Sequence, residues 1–152
     1  MKTAIVYYSG HRGNTKKLLD AIAKQGDVTL FEAANSHDVD LAAYDLIGFA
    51  SGTYFGRFHR SVVKCAEKNL PRGKKVFFIY TYGASKPNIK KLEQIAKSRD
   101  AQMMGEYGCR GFDTFGPFKL FGGIAKGHPT AEEIAGAAKF FQDLAAKSAK
   151  GR

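Results

Sequence analysis

The sequence has few of the residues that mark special covalent or membrane structures. Its 152 residues include no tryptophan, four prolines and two cysteines, Cys65 and Cys109. The cysteines lack the spacing of a metal site or a redox motif, so we expect both to be buried thiols. No apolar run is long enough to span a membrane, and the first is too short for a secretion signal. We therefore expect a cytoplasmic protein without a metal site or membrane insertion.

Acidic residues are also scarce. The chain has 14 Asp and Glu against 24 Lys and Arg, which gives a formal net charge of +10 at pH 7. Basic chains often bind nucleic acids or anionic membranes. Here the lysines are spread along the whole chain, and no nucleic-acid-binding module is recognisable. We therefore expect no nucleic acid partner, whereas protein partners with acidic surfaces suit this charge.

Strand-like and helix-like segments alternate along the chain. Short apolar runs predict five strands, at residues 4–8, 28–31, 44–50, 76–80 and 102–109. Apolar residues at helical spacing lie between these strands, with the first helix expected from residue 16 and the third from residue 87. This alternation predicts a single α/β domain over residues 1–152: a doubly wound, five-stranded parallel sheet in the order 2-1-3-4-5, with helices on both faces.

The last helix has the clearest start signal. Thr130 followed by Glu133 predicts a capping box, in which each side chain bonds the backbone N–H of the other residue. The helical spacing predicts that its buried residues are Ile134, Ala138, Phe141 and Leu144.

The turn between the first strand and the first helix has the composition of a phosphate-binding loop. Glycines let a ligand approach the backbone, a helix start offers free N–H groups, and hydroxyl and amide side chains add donors. The same composition also suits a turn that merely caps a helix. Asn14 stands where a nucleoside-triphosphate loop has lysine, and two glycines are too few for the dinucleotide fingerprint. We call this stretch the first segment: Ser9, Gly10, His11, Arg12, Gly13, Asn14 and Thr15.

Two further stretches follow the third and fourth predicted strands and come to the same edge of the sheet. They contain aromatic residues beside glycines, and an exposed aromatic ring is costly unless it packs on something. A flat ligand ring suits this need, although ordinary loop packing also meets it. The second segment is Ser51, Gly52, Thr53, Tyr54, Phe55 and Gly56, and the third is Thr81, Tyr82, Gly83, Ala84 and Ser85.

Together, the three segments resemble the cofactor-binding loops of the flavodoxin family. The resemblance implies FMN as the cofactor, with the first segment at its phosphate and Ser51 at the phosphate or the ribityl chain. Phe55, or alternatively Tyr54, corresponds to the aromatic residue that covers one face of the flavin. Gly56 then meets the flavin N5. Tyr82 stacks on the other face, and the backbone through Ser85 meets the pyrimidine edge.

Two features depart from that family. The His11-Arg12 pair makes the first segment one residue longer than is usual. Arg57 follows Gly56 where many flavodoxins have an acidic residue. Residues 51–60 and 81–90 contain no Asp or Glu, and Asp113 is the only acid between residues 110 and 119. Because cations stabilise negative charge on a reduced flavin, we expect full reduction to be easier here than in an acidic flavodoxin.

The resemblance favours an electron carrier, a monomer or weak dimer, that shuttles electrons between redox proteins. No catalytic side chain is required, because the flavin itself performs the redox chemistry. An FMN-dependent NAD(P)H:quinone-type reductase is the first alternative. Its substrate pocket could come from residues 110–129, which contain Phe112, Phe115, Phe118 and Phe121. The second alternative is a flavin-free domain of the same fold that binds an anionic partner.

Overall fold

Five parallel strands form one sheet in the computed structural model, which describes residues 1–10, 13–36, 38–112 and 125–150. The strand order is β2-β1-β3-β4-β5, which confirms the predicted topology. The strands are β1 (Thr3–Tyr8), β2 (Val28–Glu32), β3 (Leu46–Ser51), β4 (Lys75–Tyr82) and β5 (Gln102–Arg110). Outside the described residues lie His11 and Arg12 of the first segment, together with Asp113, Phe115, Phe118 and Phe121.

Helices cover both faces of the sheet, as predicted. The helices are α1 (Asn14–Ala23), α2 (Arg60–Asn69), α3 (Lys90–Ser98) and α4 (Ala131–Lys150), and a short 3₁₀ turn (Ala33–Asn35) follows β2. One apolar cluster joins α1 and α4 to one face, and a second cluster joins α2 and α3 to the other. Because both faces are covered, the central strands are apolar throughout rather than alternating.

Successive residues of β1 show how the two clusters are separated. Ala4 and Val6 belong to the cluster beneath α2 and α3, whereas Ile5 belongs to the cluster beneath α1 and α4. In β3, Gly48 leaves room for the ring of Phe77, because a Cβ atom there would overlap that ring. The predicted burial of both cysteines is confirmed, and both are free thiols.

Several element boundaries differ from the prediction. The first helix begins at Asn14 rather than at residue 16, and the third begins at Lys90 rather than at residue 87. β4 continues through Thr81 and Tyr82, which the sequence placed in a loop, because they pair with Cys109 and Arg110 of β5. Pairing with a distant strand leaves no signal in the local sequence.

The predicted capping box of α4 is confirmed. The Glu133 N–H donates to Thr130 Oγ1 over 3.1 Å, and the Thr130 N–H donates to Glu133 Oε1 over 2.8 Å. Of the predicted buried residues, Ile134 and Ala138 are only partly buried. The buried stripe of the helix consists of Ala137, Phe141, Leu144 and Ser148. In the described part of the chain, no helix has the length and apolar character needed to cross a membrane.

Candidate functional site

The three predicted segments meet beyond the carboxyl ends of β1, β3 and β4, beside the point where the strand order reverses. Hydrogen bonds join them directly. The Gly10 N–H donates to the Tyr54 hydroxyl oxygen over 3.0 Å, which links the first and second segments. Thr53 Oγ1 donates to the Thr81 carbonyl oxygen over 2.9 Å, and Thr81 Oγ1 lies 2.8 Å from Thr15 Oγ1. The described parts of the three predicted segments therefore lie against one another.

Gly13 of the first segment lies directly before α1 and has a left-handed backbone conformation. Gly13 caps α1 with φ of +72°, a conformation that glycine adopts without strain. Its N–H donates to the Gly10 carbonyl oxygen over 2.8 Å. The Ser9 hydroxyl accepts from the Lys16 N–H over 3.1 Å, so this side chain bonds to the first turn of α1.

Asn14 and Thr15 are buried in the first turn of α1, with 2% and 1% of their surface exposed. Asn14 Nδ2 donates to the Phe112 carbonyl oxygen over 2.6 Å. Asn14 Oδ1 is also buried, and no described residue donates a hydrogen bond to it. The backbone N–H groups of Asn14 and Thr15 have no acceptor within the helix, because they belong to its first turn. This turn therefore presents backbone donors and a buried acceptor to the site.

Three rings pack together beside the first segment, and we call them the ring cluster: Tyr8, Tyr54 and His59. The rings of Tyr8 and His59 are stacked, with centroids 3.6 Å apart and planes 7° apart. Tyr54 lies edge-on to both, with centroids 5.5 Å from Tyr8 and 5.1 Å from His59. Tyr8 and His59 are not among the site residues predicted from the sequence. Their positions, at the end of β1 and just before α2, are the signals that could have indicated them.

His59 connects the second segment to α2. Its backbone N–H donates to Ser51 Oγ over 3.0 Å, and Ser51 Oγ itself donates to the Gly52 carbonyl oxygen over 2.6 Å. Its ring Nδ1 accepts from the Ser61 N–H over 3.2 Å. Burial lowers the pKa of His59, and the positive charge of Arg60 lowers it further. Both effects favour the neutral imidazole.

The tip of the second segment is a short hairpin with an exposed aromatic ring. Two backbone hydrogen bonds join Tyr54 and Arg57, at 2.7 Å and 3.1 Å. Between them, Phe55 and Gly56 have φ angles of +51° and +76°. Phe55 is 87% exposed. The Gly56 carbonyl oxygen accepts from the Asn88 N–H over 2.7 Å, which ties this tip to the loop that carries the third segment.

The third segment is partly strand and partly loop. Tyr82 ends β4 and is half-buried against the core, and its ring centroid lies 6.2 Å from that of Tyr80. Gly83 is buried, whereas Ser85 is exposed. Arg110 donates from Nη1 to the Gly83 carbonyl oxygen over 3.2 Å. This residue is not among the site residues predicted from the sequence. A guanidinium group therefore lies against this segment.

The electrostatic surroundings of the site are basic. Arg57 is exposed on the hairpin of the second segment, and Lys86 is exposed just after the third segment. Arg110 adds a third cation. Within the described ranges, none of these three cations has a carboxylate partner. Across the same ranges, no cluster of three or more His, Cys, Asp or Glu side chains could hold a metal ion.

The chain is similar to known proteins both in sequence and in structure. A family model described as a flavodoxin domain matches residues 5–111. An uncharacterized protein of Methanocaldococcus jannaschii is 36% identical over 147 residues, which cover 95% of this chain and 98% of that protein. The structure of a flavodoxin from the domain Archaea is 20% identical, with a TM-score of 0.68 over 97% of this chain and 99% of that one.

A similar fold also occurs within a larger protein. The rubredoxin oxygen:oxidoreductase of Desulfovibrio gigas aligns with a TM-score of 0.75 at 13% identity, over 99% of this chain but 37% of that one. The structural matches show the fold, and the family model, which covers more than half of the chain, shows the family. The chain belongs to the flavodoxin family, and its cofactor is FMN.

Proposed function

We propose that this protein is an electron carrier that holds one FMN at the three segments and passes electrons between redox proteins. The observation that carries the proposal is the 87% exposure of Phe55, at the tip of the second segment's hairpin. The family supports a flavin-dependent electron-transfer or oxidoreductase function in general. We further propose an electron carrier rather than a reductase, with a specific role for each residue.

The first turn of α1 suits the phosphate and the ribityl chain of FMN. The backbone N–H groups of Asn14 and Thr15, at the positive end of the helix dipole, are donors for the phosphate. Asn14 Oδ1 is a buried acceptor that no described residue satisfies. Leaving such a group unpaired costs about 1–3 kcal/mol, and a ribityl hydroxyl is a donor that removes this cost. We therefore assign Asn14 to both groups.

The aromatic residues of the second and third segments suit the flavin ring. A phenylalanine at positive φ has a strained backbone, and its exposed ring is costly in water. When a flat ligand ring covers it, the phenylalanine ring gains apolar and stacking contact. Phe55 is therefore assigned to one face of the flavin and Tyr82 to the other. The Gly56 backbone and the third segment supply polar groups for the ring's edge.

The bound FMN supplies the redox chemistry, and the protein binds it and sets its potential. No side chain has to act as an acid, a base or a nucleophile. The cations at Arg57, Lys86 and Arg110 favour negative charge on the ring. The net charge of +10 favours partners with acidic surfaces. The similar D. gigas protein is named for rubredoxin and oxygen, and we propose that a small redox protein is also the partner here.

A combination of spectroscopy and kinetics tests this proposal. The purified protein should show a flavin visible spectrum, and mass spectrometry of the released cofactor should identify FMN. After reduction, it should pass electrons rapidly to an acidic ferredoxin and show no sustained NADPH-dependent quinone reduction. Sustained quinone turnover would instead establish the reductase alternative. A colourless protein that ignores added FMN would leave only a flavin-free binding domain.

Replacing Phe55 tests the cofactor assignment directly. Phe55→Ala should weaken FMN binding about two- to tenfold, because an aromatic pair contributes about 0.5–1.5 kcal/mol beyond its buried area. The conservative variant Phe55→Tyr should retain the wild-type affinity. Since the side chain is exposed, the stability of the apoprotein should change by less than about 0.5 kcal/mol. Equal FMN affinity in the wild type and Phe55→Ala would contradict the assignment.

A further inference from the structure

A basic cavity lies beside the ring cluster, between the 3₁₀ turn after β2 and the start of α2. Its volume is about 390 Å³, within the range of small-molecule sites. Among the described residues that line it, none is acidic. Its polar lining consists of Ser36, His59, Arg60, Ser61, Lys64 and Lys68.

The three cations form a stripe along one side of α2. Arg60, Lys64 and Lys68 are four residues apart, so their side chains lie above one another on the helix. Like charges at this spacing destabilise a helix by a few tenths of a kcal/mol per pair. Lys68 is compensated by Asp38, with 2.6 Å between Nζ and Oδ1. In the ranges that the structure describes, Arg60 and Lys64 have no such carboxylate partner.

We propose that this cavity binds the phosphate group of a small ligand, at a site distinct from the one that holds FMN. Arg60 provides the planar donor set that matches phosphate oxygens, and Lys64 provides a second positive charge. Together they balance a dianion. The hydroxyl groups of Ser36 and Ser61 add neutral donors beside them. The small volume suits a single phosphate ester better than a dinucleotide.

One side chain, His59, links the cavity to the ring cluster. His59 lines the cavity and also stacks on Tyr8, at the end of the strand that leads into the first segment. The cations themselves lie on α2, away from the first turn of α1 where the FMN phosphate is assigned. Removing a cavity cation should therefore change phosphate binding and leave FMN affinity unchanged.

Calorimetric titration of the FMN-loaded protein tests the proposal. The probes are inorganic phosphate and adenosine monophosphate, each added at low ionic strength. We expect saturable binding to one site, weakened about tenfold in Arg60→Gln and in Lys64→Gln through loss of a charge-assisted hydrogen bond. Tighter binding of adenosine monophosphate identifies a phosphate ester as the ligand. Equal or tighter binding of inorganic phosphate identifies the free anion, and both results support the site.

The control is Lys24→Gln, which removes an exposed cation at the end of α1, on the opposite face of the sheet. It should bind both probes like the wild type. Lys64→Gln should also be as stable as the wild type or slightly more so, because it relieves repulsion within α2. Absence of saturable binding, or equal weakening in Lys24→Gln, would overturn the proposal. FMN affinity is measured on every variant, so loss of the cofactor is detected separately.

Discussion

At the scale of single residues, the candidate site depends on buried hydroxyl and amide groups that bond between separate parts of the chain. The Thr15–Thr81 pair is the clearest case, because both side chains are at most 2% exposed and their hydroxyl oxygens are 2.8 Å apart. Asn14 similarly joins α1 to the segment after β5 through the Phe112 carbonyl oxygen. These groups therefore hold the site together, whether or not they also touch the cofactor.

Removing both members of the threonine pair should cost less than the sum of the costs of removing each one alone. Thr15→Val leaves the Thr81 hydroxyl buried and unpaired, so the free energy of unfolding should fall by about 1–3 kcal/mol. In the double variant Thr15→Val/Thr81→Val, the loss should be clearly smaller than the sum of the two single losses. Urea unfolding of the four proteins measures this coupling. Additive losses would show that the hydroxyl groups do not interact.

Arg57 should tune the potential of the bound flavin. A cation about 8 Å from a negative charge contributes about 2 kcal/mol at an effective dielectric constant near 20, before salt screening. A tenfold change in a one-electron equilibrium corresponds to about 59 mV. Arg57→Asp should therefore lower the potential of the second electron by several tens of millivolts in a potentiometric titration. Lys24→Asp, on the opposite face of the sheet, should leave it unchanged. An equal or higher potential in Arg57→Asp would contradict this role.

At the scale of elements, the start of α4 is fixed by one carboxylate. Glu133 accepts from the Thr130 N–H, and its Oε1 lies 2.6 Å from His128 Nδ1. Burial raises the pKa of Glu133, but the hydrogen bonds from Thr130 and His128 outweigh burial and lower it below the ordinary 4.5. The ionised form is therefore stabilised in the folded state. Its contribution is present above that ordinary pKa and is lost as the pH falls through the lower, folded value.

Glu133→Gln should reveal this pH dependence. At neutral pH the variant should lose about 1 kcal/mol of stability, since one partner of the capping box is weakened. The stabilities of the two proteins should converge as the pH falls below 4.5 and through the lower, folded pKa, where the wild-type carboxylate becomes protonated. Urea unfolding across this pH range measures the difference. Glu132→Gln, an exposed neighbour in the same turn, is the control and should follow the wild-type curve. A difference that is constant with pH would exclude this role of the charge.

At the scale of the whole molecule, the positive charge should govern encounters with partners. A net charge of +10 steers acidic proteins toward this one and repels basic ones. Electron-transfer rates with an acidic ferredoxin should fall as ionic strength rises, because salt screens exposed charges. Stopped-flow measurements at several salt concentrations, with a basic cytochrome as the control partner, measure this effect. A flat or rising rate with the acidic partner would contradict it.

The sequence by itself determined the architecture and which segments meet at the carboxyl ends of the strands. Apolar runs and helical spacing are local patterns, and parallel strands necessarily bring their carboxyl ends to one edge. This reasoning predicted the strand order, the helices on both faces, the capping box of α4 and the meeting of the three segments. Element ends were less predictable, as Thr81 and Tyr82 show, because their assignment depends on pairing with β5.

Only the tertiary structure decided which side chains contact one another. The stacking of His59 on Tyr8, the Thr15–Thr81 pair and the bond from Arg110 to Gly83 each join residues at least 27 positions apart. The basic cavity likewise needs the 3₁₀ turn to lie against α2. Such contacts depend on how whole helices and strands pack, and packing is set by the shape of the entire core rather than by any local pattern.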